Sequence, residues 1–261
     1  MEKKETQYRL GIVLSGGGAR GFAHIGVLKA LNEAGIYPDI FSGVSAGSIV
    51  GAFYADGFSP DEILEIFSDH RFFNYMELIF PKRGLLKITG LLRVITQHLR
   101  AKTFEDLKIP LIINATELVE GKNVYFTTGT LIDKIVASAS VPIFLNPAEI
   151  DGKIFVDGGI FCNMPAKIIR PKCETLIGVH VNPILSEGKI DSVSDVLERV
   201  YHLVIQANTI AEKKVCDIVI EPVKARNFGM FEISKSQQLF DIGYDAAMQT
   251  LSTLFNKSSK K

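Results

Sequence analysis

No apolar run in this chain approaches the roughly 20 residues that a membrane-spanning helix needs. The N-terminus, Met1 to Gln7, is charged and lacks the apolar region of a secretory signal, so the sequence reads as a cytoplasmic protein. Neither sign of charge is in excess. Lys+Arg and Asp+Glu number 29 each, which argues against nucleic acid or an acidic surface as a partner, and the Lys257 to Lys261 tail reads as a solvated end. Cysteine is scarce: Cys162, Cys173 and Cys216 show no C-x-x-C spacing and, being three, cannot all pair. That pattern points to a reducing compartment and away from structural zinc. No internal repeat is evident.

What is present is the material of a full core. With 47% hydrophobic and 22% charged residues over 261 positions, the sequence predicts one globular domain spanning 1–261, at most with a small appendage. Strand-like and helix-like segments alternate, as in a largely parallel sheet covered by helices on both faces. Strands are expected at Arg9 to Ser15, Asp39 to Val44, Leu111 to Glu117, Asn123 to Thr127, Lys153 to Val156, Thr175 to Val181 and Asp217 to Glu221. Helices are expected at Phe22 to Ala34, Ala46 to Ala55, Leu131 to Ser140, Val193 to Lys214 and Lys235 to Phe255. Ser59-Pro60-Asp61-Glu62 reads as a capping box opening a further helix, serine as N-cap and glutamate three residues on.

Gly43-Val44-Ser45-Ala46-Gly47 is the most informative stretch. It places a serine between a predicted strand and a predicted helix, flanked by residues small enough for a sharp turn, in the pattern of a nucleophile elbow. A hydroxyl there stands at the carboxyl edge of a sheet, where the helix amino end favours an anionic intermediate. A bare G-x-S-x-G also arises by chance, so other segments must decide.

Gly16-Gly17-Gly18-Ala19-Arg20-Gly21 lies between the first strand and the first helix. It satisfies G-x-G-x-x-G, so a dinucleotide-binding loop is one reading. The acidic ribose ligand should then close the second strand, whereas Asp39 precedes that strand and Ser45 occupies its end. A P-loop fails because Phe22 and Ala23 stand where lysine and serine or threonine are required. The third reading is an oxyanion hole, in which consecutive glycines turn several backbone N–H groups inward toward a tetrahedral oxygen. Arg20 could add positive charge or pin the loop through a carboxylate.

The serine needs a base. Of the five histidines, His24, His70, His98 and His202 read as structural or exposed, and His180 alone lies toward a strand end in the usual hydrolase order. Asp157-Gly158-Gly159 is the stronger partner, since it ends a predicted strand at the same edge of the sheet. Its plainer reading is a tight turn. A carboxylate in a water-poor pocket can nevertheless act as general base, because desolvation raises its proton affinity.

In this order, glycine loop, serine elbow and Asp-Gly-Gly, the chain resembles the patatin-like phospholipase family over roughly Leu10 to Pro165. Ala137-Ser138-Ala139-Ser140-Val141-Pro142 looks like that family's serine- and proline-containing segment, and Asn163-x-Pro165 follows the aspartate. The resemblance implies a three-layer α/β/α sandwich with a mostly parallel central sheet and a Ser45–Asp157 dyad. It also implies an oxyanion hole at Gly16 to Gly18, with Arg20, Gly43, Gly47, Gly158 and Gly159 in support. The implied activity is lipid acyl hydrolysis, as a phospholipase, lysophospholipase or carboxylesterase, through an acyl-serine and without metal or cofactor. Lipid or acyl-ester substrates and transient membrane contact would follow, with oligomeric state left open. The rival readings are a dinucleotide-binding oxidoreductase and a non-catalytic lipid-binding or scaffold protein.

One segment carries an expectation about access. Leu85, Ile88, Leu92, Ile95 and Leu99 fall at spacings of three and four, preceded by the apolar Phe72 to Phe80. An amphipathic helix closing the core is the plainer reading. The alternative is a cap, about 72–102, that covers the Ser45 pocket and touches lipid when open.

Overall fold

The computed structural model describes residues 6–68, 89–183 and 191–258. Its centre is one sheet built from β1 (Tyr8–Leu14), β2 (Ile40–Gly43), β3 (Leu111–Glu117), β4 (Lys122–Phe126), β5 (Ala148–Ile150), β6 (Lys153–Asp157), β7 (Cys173–Val179) and β8 (Ile218–Ile220). The strand order is β5-β6-β3-β2-β1-β7-β8, with β4 added to β3. β8, β7, β1, β2 and β3 run parallel, whereas β4 and β6 are antiparallel to β3. The fold is therefore α/β with a mixed, mostly parallel sheet flanked by helices.

The helices are α1 (Phe22–Glu33), α2 (Ala46–Ala55), α3 (Pro60–Ser68), α4 (Thr89–His98), α5 (Leu131–Ala139), α6 (Gly159–Cys162), α7 (Val193–Lys213) and α8 (Ser236–Ser258). Alternation along β1 assigns the faces. Ile12 and Leu14 enter the main core with residues of α1, α2, α4, α5 and α8. Val13 points the other way, packing with Ile40, Ile112, Leu176, Met164 and Ile169. The α3 capping box forms as the sequence predicts: Ser59 N–H donates to Glu62 Oε2 at 2.7 Å and Glu62 N–H to Ser59 Oγ at 3.3 Å.

The first part of the expected cap segment, 72–88, lies outside the described residues. Its helical part, α4, closes the core: Val94, Ile95 and Leu99 are buried in the main cluster, with Leu91 packed against it. β5 and the one-turn α6 were not foreseen, both being too short for any periodicity to register.

One topological detail positions the site. Ile113 pairs with Gly43 of β2 and with Phe126 of β4, so β2 and β4 occupy opposite edges of β3. β4 keeps its edge as far as Glu117, which forces β6, paired at Ala115 to Glu117, onto the edge that β2 has just vacated. β2 and β6 thus approach end to end along one edge of β3, and their carboxyl termini meet beside Asn114. Asp157 therefore reaches the site from an antiparallel strand.

α1 and α8 are held together by backbone-to-backbone contact. A Cβ at Gly26 would lie 2.0 Å from the Phe240 carbonyl oxygen, and one at Gly243 would lie 2.0 Å from that of Ala23. A peptide oxygen cannot swing aside as a side chain can, so the helices would have to separate. Gly26→Ala should cost about 2 kcal/mol, the usual range of overpacking, and lower the melting temperature by roughly 5 °C in a thermal scan. An unchanged melting temperature would show that the α1–α8 contact tolerates expansion.

Candidate active site

Ser45 sits between β2 and α2 with φ 52° and ψ −125°, a conformation that costs a non-glycine residue of order 1–3 kcal/mol. The turn is tight because its flanking residues have no room for a side chain. A Cβ at Gly43 would meet the Gly47 carbonyl oxygen at 2.6 Å, and one at Gly47 would meet that of Leu14 at 2.2 Å. Hydrogen bonds hold the strained residue from both sides: Ser45 N–H donates to Ser138 Oγ at 2.9 Å, and Ser48 Oγ donates to the Ser45 carbonyl at 2.7 Å.

Asp157 is fully buried at the end of β6. Its backbone N–H donates to the Ser140 carbonyl at 2.8 Å, its carbonyl accepts from Thr116 Oγ1 at 3.0 Å, and its Oδ1 accepts from Gly159 N–H at 2.7 Å. The segment 137–142 is thus a clamp, Ser138 fixing the serine and Ser140 the aspartate. Oδ2 has no partner at full hydrogen-bond distance, although the hydroxyls of Ser45 and Tyr201 stand near enough to favour the charged carboxylate. Burial outweighs those hydroxyls and the Gly159 amide, pushing the Asp157 pKa up to about 6. Tyr201, on α7, is itself pushed well above the usual phenol value by burial and by Asp157. Sequence reasoning missed Tyr201, because a tyrosine within a long helix carries no local signal.

The glycine loop faces this pair. A Cβ on Gly16 would come 3.3 Å from Ser45 Cβ and 2.4 Å from Asn163 Oδ1. The Gly16 N–H already donates to the Asn163 carbonyl at 3.1 Å, so this amide is a strut. Among the described residues the Gly17 and Gly18 amides have no acceptor. Gly18 has φ +57°, and a Cβ there would strike the Met230 carbonyl oxygen, which accepts the Ala19 N–H at 2.7 Å. Arg20 secures this neighbouring loop, donating from Nε to the Phe228 carbonyl at 2.9 Å and from Nη1 to Asn182 Oδ1. Both of these bonds, to a backbone carbonyl and a side-chain amide, tie the glycine loop to the segments beside it.

Gly158 and Gly159 complete the turn after Asp157. A Cβ on Gly158 would lie 2.4 Å from the Asn114 carbonyl oxygen, while Gly159 packs against Asn163 Oδ1 and the Tyr201 hydroxyl. Asn163 thus lies between the glycine loop and the aspartate turn, its Nδ2 buried without an acceptor.

Three histidines are bonded away from the serine. His24 Nε2 bonds the Ser15 carbonyl at 2.8 Å, and burial lowers its pKa to about 4. His180 Nδ1 meets Glu221 Oε1 at 2.7 Å, and Glu221, which also accepts from Lys213 Nζ at 2.8 Å, is lowered to about 2, chiefly by the His180 bond. His98 bonds the Val94 carbonyl within α4, and His202 is lowered to about 4, chiefly by burial. His70 lies outside the described residues. Cys162, Cys173 and Cys216 are free thiols.

An apolar cluster of Val141, Phe144 and Met230, with Leu145 and Tyr201 against it, adjoins both the glycine loop and the aspartate. The Phe144 and Phe231 rings lie 5.4 Å apart at its side, and Ile143 is 44% exposed. No helix among the described residues is long and apolar enough to cross a membrane.

The buried carboxylate makes stability depend on pH in a direction opposite to that of a salt-bridged aspartate. The folded protein holds this proton up to about pH 6 and the unfolded chain releases it near 3.8, so the stabilisation is fully present below pH 3.8 and lost as pH rises through 6. At pH 8 the cost is on the order of 3 kcal/mol. Asp157→Asn, which cannot ionise, should raise the melting temperature at pH 8 relative to wild type and lose that advantage at pH 3.5. An offset that did not change with pH would mean that the carboxylate is solvated.

The family model described as patatin-like phospholipase matches residues 12–169, more than half of the chain. The chain is 27% identical over 278 residues to the human patatin-like phospholipase domain-containing protein 6, covering 92% of this chain and 20% of that protein. It is 34% identical over 178 residues to an uncharacterised NTE family protein of Mycobacterium bovis, covering 67% of this chain and 49% of that one. Lysophospholipase NTE1 of Mycosarcoma maydis is 28% identical, over 93% of this chain and 15% of its own. The chain therefore spans half the length of these relatives or less. Among solved structures, VipD from Legionella pneumophila shares the fold at a TM-score of 0.53 and 15% identity, over 95% of this chain and 67% of its own. The serine elbow, the Asp-Gly-Gly turn and the glycine loop all fall within the matched residues, and this chain belongs to the patatin-like phospholipase family.

Proposed function

We propose that the protein is a lipid acyl hydrolase in which Ser45 is the nucleophile and Asp157 the general base. One observation carries this reading: a fully buried carboxylate, raised to about 6, stands beside a serine hydroxyl on a strained strand-to-helix turn. A base in that range is largely ionised at neutral pH yet basic enough to accept a proton in the transition state. His24, His98 and His180 are bonded elsewhere, which favours a dyad over a triad.

Asp157 removes the Ser45 hydroxyl proton as Oγ attacks the ester carbonyl carbon. The oxyanion that forms is held by the Gly17 and Gly18 amides, while Gly16, bonded to Asn163, keeps the loop in place. Collapse of the intermediate breaks the bond to the alcohol oxygen, which leaves with the proton from Asp157 and yields acyl-Ser45. Water then gives a proton to Asp157 and attacks the acyl carbon. The fatty acid departs as the proton returns to Ser45 Oγ. The cluster around Phe144 and Met230 suits an acyl chain, being apolar and in contact with both the loop and Tyr201. That cluster, with the phospholipase and lysophospholipase relatives, favours a lipid ester over a polar one.

The dinucleotide alternative is less well supported. Asp39 is committed to the Leu10 N–H at 2.9 Å, and the end of β2 offers Ser45 where an acidic ribose ligand would be needed. The Met230 carbonyl also closes on the Gly18–Ala19 part of the loop, where a pyrophosphate would lie.

Fluorophosphonate labelling followed by mass spectrometry should give a single adduct at Ser45. Ser45→Ala and Asp157→Asn should each lower kcat on a lysophospholipid or a short acyl ester by at least about 10³-fold while remaining folded. The wild-type rate should rise with pH through an apparent pKa near 6. A folded Asp157→Asn variant with near-normal turnover would eliminate the dyad, and loss of activity in a normally melting His180→Ala variant would restore a histidine base.

A further inference from the structure

α7 is fixed against the aspartate turn by bonds that do not involve Asp157 itself. Asn208 accepts the Asn163 N–H at 2.8 Å and donates to the Gly159 and Ile160 carbonyls at 2.8 and 3.1 Å. Glu212 Oε2 accepts from the Ala166 and Lys167 N–H at 3.0 and 2.8 Å. Tyr201 lies seven residues before Asn208, about two turns along the same face, so this docking carries the phenol to the carboxylate. Gly159 leaves the room. A Cβ there would lie 3.0 Å from Asp157 Oδ1 and 3.2 Å from the Tyr201 hydroxyl oxygen. The Tyr201 ring packs against Val141, Phe144 and Met230, an apolar setting in which a phenol needs an acceptor for its proton.

We infer that Tyr201 is a positioning residue for the base, its hydroxyl donating to Asp157 Oδ2 whenever the carboxylate is charged. The inference rests on the proposed roles of Ser45 and Asp157. Gly159 occupies Oδ1 at 2.7 Å, which leaves Oδ2 to the hydroxyls of Ser45 and Tyr201. The Tyr201 bond is long in the resting geometry, as bonds around a catalytic base commonly are, and charge on the carboxylate shortens it.

A donor of this kind favours the carboxylate over the carboxylic acid and so opposes burial. The size of the effect matters. One pH unit is an ordinary contribution for a hydrogen bond to a charged group, and its loss would carry the Asp157 midpoint from about 6 to about 7. About half of the base would then be protonated at neutral pH. Tyr201 keeps its own proton throughout, because burial and Asp157 hold it well above the usual phenol value.

The charged groups on the elements around Asp157 are committed elsewhere. Glu117 of β3 accepts the Val119 and Glu120 N–H, and Asp133 and Lys134 of α5 both bond Thr130. Glu212 holds Ala166 and Lys167, Arg20 binds Phe228 and Asn182, and the charge of Arg199 bears on His202. Cys162 of α6 is pushed up to about 12 and His202 of α7 down to about 4, so both are neutral where Asp157 titrates.

Carbon-13 NMR of protein labelled at the aspartate carboxyls and the tyrosine rings tests the inference. The Asp157 resonance, identified by its loss in Asp157→Asn, should titrate near pH 6 in the wild type and about one pH unit higher in Tyr201→Phe, which keeps the ring and its packing. The hydrolysis rate should show the same displacement: relative to wild type, Tyr201→Phe should lose about tenfold more at pH 5 than at pH 9. In the wild-type protein the Tyr201 Cζ resonance should move with the Asp157 midpoint, a readout that needs no substitution at 201. An unmoved Asp157 midpoint in Tyr201→Phe would overturn the inference, as would a Tyr201 resonance indifferent to that titration or an activity loss equal at both pH values. The carboxyl titration needs no catalysis, so the Tyr201 bond is decided by it even where the hydrolase reading fails.

Discussion

Everything about the site depends on one edge of one strand. β3 lends the first half of that edge to β2 and the second half to β6, which arrives from the opposite direction. Two strand ends that no parallel sheet would bring together therefore face each other, one leading to Ser45 and the other carrying Asp157. The contacts around them reinforce the arrangement. Asn114, in β3 between the two pairing regions, donates its side-chain amide to the carbonyls of Gly158 and Cys162 at 3.2 and 3.1 Å, and Thr116 holds the Asp157 carbonyl. Ser138 and Ser140, at the end of α5, reach one strand end each.

The arrangement stores free energy that the rest of the fold must supply. Ser45 holds positive φ at the cost of backbone strain, and Asp157 is kept out of water, where its charged form is disfavoured. Both are tolerable because they sit on a rigid base. The main core joins both ends of the chain through the glycine contacts of α1 and α8, and α2, whose first turn carries the elbow, presses on β1. In the proposed reaction these same departures from comfort are useful. The strained turn holds the hydroxyl beside the carboxylate, and the desolvated carboxylate has the proton affinity that a base for a serine requires.

α7 connects the site to the molecular surface. Tyr201, Asn208 and Glu212 lie along its inner side, two turns and then one turn apart, the first near Asp157 and the others holding the segment that follows it. Its outer side carries exposed apolar residues, Val200, Leu203 and Ile210 among them.

The short motifs were legible in the sequence because their chemistry is local. A serine elbow needs small neighbours, a capping box needs serine and glutamate three apart, and both formed where the pattern placed them. Periodicity located the longer elements: α2 and β3 have the bounds that the sequence suggested, and α1 and α7 differ by one residue at the carboxyl end. Tertiary structure alone decided the antiparallel course of β6, since Lys153 to Val156 reads the same in either direction until its neighbour is known. It decided that Gly16 spends its amide on Asn163, that Arg20 binds a carbonyl and an amide, and that Tyr201 approaches Asp157 from 44 residues further along the chain. The physical reason is the same in each case: residue type and spacing specify what a group can bond, but its partner is set by strand register and helix packing, which depend on contacts distant in sequence.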